Sequence, residues 1–152
     1  MNAIELLKED HSVVDGLFEE VEESDPGDHP RIFAQIKVEL ETHAHIEETI
    51  FYPSIQEDGD EELIELTSEA LKEHSQMKVI LGELGAVSTD PEKFEPLLTK
   101  LIEDVRHHVE EEEGEMFPSV EDQFEAETLE TWGKQMQLEK EKFQSSAESA
   151  YA

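Results

Sequence analysis

The stretch HVEEEEGEMFP, residues 108–118, places one histidine and a run of four glutamates before an apolar Met-Phe-Pro end. Four adjacent carboxylates repel one another, which favours a solvated helix face. The preceding residues form an apolar stripe with steps of three or four: Leu98, Leu101 and Val105. His108 and Glu112 continue this stripe, and residues four apart lie about 6 Å apart on one helix face. We therefore predict that His108 and Glu112 point inward, while the other three glutamates face solvent or the flanks.

A second stretch, HAHIEETIFYP at residues 43–53, repeats this arrangement in the first half of the chain. His43 aligns with His108, Glu47 aligns with Glu112, and a proline ends both stretches. His43 and Glu47 also continue an apolar stripe of helical period, so we predict that they point inward as well.

Another pair of segments extends this internal repeat. EDHSVVDGLF, residues 9–18, aligns with KEHSQMKVIL, residues 72–81, and the alignment places His11 over His74. Each of these two histidines fills a gap in an apolar stripe of helical period. Two helix pairs related by a pseudo-two-fold axis would bring all four histidines to comparable heights inside a bundle.

Segments rich in Pro, Gly and Asp divide the chain at residues 24–30, 57–61 and 88–96. Short connections make neighbouring helices antiparallel. We predict an all-α fold, an up-down-up-down four-helix bundle over residues 1–124, in which Pro118 precedes a short polar stretch. A C-terminal helix and a frayed tail follow at residues 125–152, where Gly133 lowers the helix propensity and the last residues, QSSAESAYA, are expected to fray. One face of this tail carries Leu129, Trp132, Met136 and Phe143.

The composition narrows the classes of function. A chain of 152 residues with 36% hydrophobic residues is expected to form one globular domain. Its net charge of −30, from 41 acidic and 11 basic residues, argues against nucleic acid and anionic membranes as partners. The chain has no cysteine, which excludes disulfides and thiolate chemistry. An acidic start and the lack of a long apolar run predict a cytoplasmic protein. The oligomeric state stays open.

Two inward carboxylates would be costly to bury without partners. Imidazole together with carboxylate suits iron, zinc, manganese or copper, and this donor set is too large for one tetrahedral zinc. It fits two metal ions, each with two histidines and bridged by both carboxylates. The candidate ligands are His11, His43, Glu47, His74, His108 and Glu112.

The other histidines receive different interpretations. His29 lies in a Pro/Gly-rich segment, which predicts a solvated side chain, and His45 lies off the apolar stripe, which predicts a surface residue. His107 is the alternative to His108, because Glu111 follows it by four residues. The stripe favours His108 and leaves His107 the role of orienting a ligand.

At these residues the sequence resembles the hemerythrin-like (HHE cation-binding) family, over roughly residues 1–124. The resemblance is carried by two H-x-x-x-E-E patterns, one followed by F-x-P and the other by F-P. It implies a four-helix bundle around two iron ions, in a non-haem centre bridged by carboxylates and an oxo or hydroxo group. It also implies histidine ligands at positions 11, 43, 74 and 108, and bridging carboxylates at Glu47 and Glu112.

One position departs from the oxygen-carrying hemerythrins, which have a second histidine one turn after the histidine of the third helix. Lys78 stands there in this chain, and Asp15 is its first-half counterpart. Each iron would then keep one open position, for which Glu48, Glu73 and Glu113 are the neighbouring candidates. A centre of this kind favours chemistry on peroxide, oxygen or nitric oxide over reversible oxygen storage.

The leading hypothesis is a non-haem di-iron protein that interacts with O2, peroxide or NO, in sensing, detoxification or storage. A weak peroxide-consuming, catalase-like activity is the enzymatic form of this hypothesis. One alternative is a metal-buffering protein without redox turnover, and another is a structural bundle with a hydrogen-bonded His–Glu core. A hydrolase has no support, because the sequence lacks Gly-x-Ser-x-Gly and phosphate-binding glycine loops.

Overall fold

The computed structural model describes the backbone of residues 1–151 and the side chains of residues 1–146. Within that part of the chain the α-helices are α1 Ala3–Glu23, α2 His29–Ile46, α3 Tyr52–Asp58, α4 Glu61–Ala86, α5 Pro91–Glu111, α6 Phe117–Gln123 and α7 Ala126–Tyr151. No strand occurs in the described residues, which confirms the all-α prediction. Helix α1 packs against α2, α4 packs against α5, and α7 lies against α1 and α2.

Capping residues fix where the first helix of each half begins. Asn2 accepts a hydrogen bond from the backbone of Glu5, and the Glu5 side chain accepts one from the backbone of Asn2, which closes a capping box. Asp60 caps α4 by accepting from the backbone of Leu63. Helix α5 begins at Pro91, so the third predicted break is shorter than the sequence indicated.

Two π-helical turns, Glu47–Phe51 and Glu112–Met116, join α2 to α3 and α5 to α6. A proline follows each of them, and a proline cannot donate the backbone hydrogen bond that a regular α-helix needs. The extra residue of a π-turn accommodates this loss, so both helices continue instead of breaking. Pro118 therefore does not end the helical structure, since α6 extends to Gln123.

The apolar core has two parts, and the polar histidine–glutamate layer lies between them. The cluster near the N-terminus of the chain includes Leu7, Ile55, Leu63, Phe117, Trp132 and Met136. The cluster at the opposite end includes Phe18, Ile32, Ile36, Leu84, Phe94 and Leu101. A layer held between two packed apolar clusters is shielded from water above and below.

Helix α7 docks on the bundle. Leu129, Trp132 and Met136 are buried in the cluster near the N-terminus, as their shared face suggested. Gly133 lies so close to the backbone of Met1 that a Cβ atom there would stand 2.4 Å from the Met1 carbonyl oxygen. The glycine that weakens this helix therefore allows its close approach to the N-terminus. No helix among the described residues is both long and apolar enough to cross a membrane.

Candidate metal centre

The six predicted ligand residues converge on one buried layer. His11, His43, His74 and His108 come one each from α1, α2, α4 and α5, and Glu47 and Glu112 each begin a π-turn. All six are buried, and Glu47 is 0% exposed. The apolar stripe and the internal repeat account for the position of these residues, because α1, α2, α4 and α5 each contribute one inward histidine at the same height.

The first group of ligand atoms combines the two histidines of the first half with both carboxylates. His11 Nε2 lies 3.2 Å from His43 Nε2 and 3.2 Å from Glu112 Oε1. His43 Nε2 lies 3.2 Å from Glu47 Oε1. One ligand atom from each of these four residues lies within 4.8 Å of every other.

The second group combines His74, His108 and Glu47 under the same distance limit. His74 Nε2 lies 3.1 Å from Glu47 Oε1, and His108 Nε2 lies 3.5 Å from Glu112 Oε1. Glu47 thus belongs to both groups, and Glu112 reaches one histidine of each half.

The unpartnered atoms of this layer test whether a metal fits. Both oxygens of Glu47, Oε1 of Glu112 and Nε2 of His108 are buried without a hydrogen bond, although nitrogens and oxygens of the layer lie 3.1–3.5 Å apart. These atoms are close, but they do not point at one another as donor and acceptor. Metal–ligand bonds of about 2.0–2.1 Å at near-right angles would place ligand atoms roughly 3 Å apart. The donor set fits metal cations in both its chemistry and its spacing.

Each candidate histidine has its Nδ1 atom against a carboxylate outside the layer. The Nδ1 distances are 2.7 Å for His11 to Glu113, 3.0 Å for His43 to Asp10, 2.8 Å for His74 to Glu48 and 2.8 Å for His108 to Glu73. An ionised carboxylate only accepts, so Nδ1–H is the donor and Nε2 is left to face the centre.

These outer carboxylates follow the pseudo-two-fold repeat. Asp10 and Glu73 precede a candidate histidine, whereas Glu48 and Glu113 follow a candidate glutamate. Glu48, Glu73 and Glu113, the sequence-based candidates for the open metal positions, contact histidine Nδ1 atoms in the structure instead. Asp10 was missed, although its position directly before His11 matches that of Glu73 before His74.

The charges of the metal-free layer depend on these contacts. Burial alone would lower the pKa of His43 and of His74, but the surrounding carboxylates outweigh burial and raise both. The pKa of His74 rises to about 9, chiefly because the Glu47 and Glu48 carboxylates lie against its two ring nitrogens. Burial would raise the pKa of Glu47, but His43 and the other partners hold it well below its ordinary value. Protons on His43 and His74 therefore offset the buried charge of Glu47, and a metal ion would have to displace them.

Tyr52 breaks the symmetry of the layer. Its hydroxyl donates to Glu112 Oε2 at 2.5 Å and lies 3.4 Å from His74 Nε2. Burial, followed by the charge of Glu112, raises the pKa of this phenol well above 10. The repeat places Phe117 at the equivalent position, where its ring stacks on His11 at 5.9 Å. Sequence reasoning missed Tyr52, although the alignment of the two proline-terminated stretches pairs it with Phe117.

The remaining histidines lie outside the layer. The prediction that His29 is solvated is wrong, because it is 8% exposed, donates from Nε2 to the Val21 carbonyl and contacts Glu95 through Nδ1. His107 is 66% exposed and pairs with Glu111, so it does not orient His108; Glu73 does.

Helix α7 contacts the edge of the layer through one turn. Lys140 Nζ lies 2.6 Å from Asp10 Oδ1. His45 is half-buried beneath this helix, where Glu139 contacts its Nε2 at 2.8 Å and Phe143 stacks on its ring at 4.4 Å.

A cavity of about 240 Å³ adjoins the histidines. Its walls are mostly apolar and include Val14, Leu40, Met77, Leu81, Val105 and Val109. Its rim includes Lys78, His45 and Phe143, and Lys78 there pairs with Glu48 at 2.6 Å. Glu47 and Glu112 do not line it, so a small molecule in the cavity would meet the centre from the histidine side.

Two curated proteins that are longer than this chain resemble it in sequence. A protein named DNA nickase from Nostoc sp. is 31% identical over 148 residues, which is 95% of this chain and 40% of that protein. An uncharacterised hemerythrin-like protein of Schizosaccharomyces pombe is 30% identical over 83 residues, 55% of this chain and 41% of that one. The chain thus spans about two fifths of the length of these two curated relatives.

The structural comparison covers nearly the whole fold. A crystal structure of a hemerythrin HHE cation-binding domain-containing protein from Mycobacterium kansasii matches with a TM-score of 0.81 and 27% identity, over 97% of this chain and 90% of that one. Residues 2–120 match the family model of the hemerythrin HHE cation-binding domain. With its bundle and its buried histidine–glutamate layer, the chain therefore belongs to the hemerythrin HHE cation-binding domain family, as the resemblance in its sequence implied.

Proposed function

We propose that the buried layer binds two iron ions and that this centre reacts with O2, peroxide or NO, with peroxide consumption as the leading activity. The observation that supports it most is the pair of ligand groups that share Glu47. His11 and His43 would hold one ion and His74 and His108 the other, with Glu47 and Glu112 between them. Iron in such a site supplies one-electron redox chemistry and open positions for a small ligand.

The residues around the layer have defined tasks in this proposal. The four outer carboxylates hold the imidazoles in the tautomer that turns Nε2 toward the centre. Tyr52 donates its hydroxyl proton to Glu112 and so holds that carboxylate, while the hydroxyl oxygen lies 3.4 Å from His74 Nε2 at the edge of the proposed centre. The apolar walls of the cavity limit bulk water and favour small uncharged molecules.

Oxygen release from hydrogen peroxide, followed with an oxygen electrode on iron-loaded protein, tests this function. The expected reaction converts two molecules of peroxide to two of water and one of oxygen. Zinc-loaded protein is the control, because zinc fits the same donors but has no redox chemistry. Equal rates for the iron-loaded and zinc-loaded proteins would overturn the proposal.

Metal buffering is the second candidate, and the net charge of −30 favours it because an acidic surface attracts cations generally. In that case iron binds and leaves under mild chelation, while the absorption spectrum does not respond to oxygen or peroxide. A response to either ligand would exclude it.

The nickase name belongs to a protein of which this chain covers 40%, and we do not extend that activity to this chain. A chain with 41 acidic and 11 basic residues repels a phosphate backbone. We expect no retention of duplex DNA in a mobility-shift assay at low salt, where electrostatic binding would be strongest.

A further inference from the structure

Helix α7 lies outside the residues that match the family, which end at 120, yet one of its turns meets the edge of the metal-binding layer. Three side chains of this turn make contacts there. Glu139 and Phe143 hold His45, which is not a candidate ligand. Lys140 reaches further, because its partner Asp10 contacts the candidate ligand His43 directly.

The contacts form a short chain from cation to ligand. Lys140 Nζ lies 2.6 Å from Oδ1 of Asp10, and Oδ2 of the same carboxylate lies 3.0 Å from His43 Nδ1. Asp10 is buried, so water does not compete strongly for either oxygen. The lysine thus occupies one oxygen and leaves the other for the imidazole.

Lys140 differs from Lys78, the other lysine that contacts an outer carboxylate among the described residues. The Lys78 side chain is 54% exposed, whereas that of Lys140 is 21% exposed. Solvent screens an exposed pair much more than a half-buried one. Lys78 also lies within the repeat, while Lys140 comes from a helix that the repeat does not include.

We propose that Lys140 is a positioning residue of the metal centre, which acts through Asp10 on His43 and moderates the electron donation of that imidazole. A carboxylate on Nδ1 makes a histidine a more basic ligand. A cation on the far oxygen withdraws part of that carboxylate's charge, so Lys140 limits the effect at His43. The inference rests on the proposed metal centre.

The reduction potential of the iron-loaded protein tests the inference with Lys140→Gln. Loss of the Lys140 cation and a stronger Asp10–His43 hydrogen bond both stabilise iron(III) relative to iron(II). The reduction potential is therefore expected to fall. The spectrum of the cobalt(II)-loaded protein should also change, which gives a readout independent of activity. Lys140→Arg keeps the charge and is expected to stay close to the parent in both measurements.

Two variants of the same helix separate this role from simple docking of α7. Glu139→Gln weakens the other polar contact of the turn, and Lys142→Gln removes an equal charge nearby. Both are expected to keep the cobalt spectrum of the parent, and neither should lower the potential as Lys140→Gln does. Equal shifts in all three variants would show a general effect of α7 and would overturn the inference.

A double-mutant cycle with Asp10→Asn tests whether Lys140 acts on His43 through Asp10. Asp10→Asn alone is expected to weaken metal binding by about 10–100-fold, the usual cost of an outer partner. In that background Lys140→Gln should cause no further fall in potential, because the connection to His43 is already lost. A full shift in the Asp10→Asn background, or none in the parent background, would refute the inference and leave the proposed function standing. A parent protein that binds neither iron nor cobalt overturns both.

Discussion

The protonated imidazoles of the metal-free layer lead to a prediction about pH and stability. The pKa of His74 is raised from 6.5 to about 9 in the folded chain. A raised histidine pKa stabilises the fold fully below the unfolded value of 6.5, and this contribution is lost as the pH rises through about 9. Each pKa unit is worth about 1.4 kcal/mol. His74 alone should therefore remove about 3 kcal/mol from the unfolding free energy across this range.

Bound metal reverses the sign of this dependence. A metal ion needs the neutral imidazole, so protons compete with it and binding strengthens as the pH rises. Since metal binds only the folded layer, stronger binding means greater stability. The metal-free and metal-loaded proteins should therefore show opposite slopes of unfolding free energy between pH 6.5 and about 9.

Urea denaturation measures both slopes, with a chelator present for the metal-free protein. In the metal-free protein, His74→Gln should remove most of the pH dependence of the unfolding free energy that His74 contributes. His107→Gln removes an exposed imidazole beside the layer and is the matched control, which should keep the slope of the parent. A metal-free unfolding free energy that stays constant or increases over this range would refute the account of the charges in the layer.

Three substitutions test other parts of the site. Glu47→Gln removes the carboxylate common to both ligand groups, and chelator competition should show a loss of metal affinity beyond the roughly 10–100-fold typical of an outer partner; a smaller loss would remove Glu47 from the ligand set. Tyr52→Phe makes the two halves alike and should keep metal binding while peroxide consumption falls at least about tenfold, so an unchanged rate would mean that the phenol only packs. Lys78→His adds an imidazole one turn after His74 and should slow peroxide consumption by filling an open position, whereas an unchanged rate would contradict the open-site argument.

Helical periodicity and the internal repeat were sufficient to predict the bundle and the residues of its polar layer. The inward position of His108 and Glu112 follows from the apolar stripe, which depends only on the spacing along one helix. The family resemblance pointed to the same residues. The apolar stripe and the internal repeat can be read directly from residue spacing along the chain, so structure that depends on them is the easiest to predict from sequence.

Contacts outside this regular pattern could not be predicted in the same way. A π-turn contains one more residue than an α-helical turn. In a regular helix the residue four positions after Glu47 would share its face, but across this π-turn Tyr52, five positions after Glu47, faces the layer. Glu48 and Glu113 start on the flanks of their helices and reach the layer through long side chains. His29 is buried by contacts with distant parts of the chain, and its own segment of Pro and Gly gives no sign of them.

The placement of α7 also depends on tertiary contacts. Its apolar face predicted a docked helix, and Leu129 and Trp132 are buried accordingly. The pairing of Lys140 with Asp10 joins residues 130 positions apart, and no local pattern in the sequence connects them.

Iron content per chain is the most direct test of the central claim, measured by elemental analysis after anaerobic loading with iron(II) and dialysis, together with absorption spectra before and after exposure to air. The account predicts about two iron ions per chain, one for each ligand group, and near-ultraviolet bands of a bridged ferric pair that develop in air. One ion per chain or none, or two ions whose spectrum does not change in air, would contradict it.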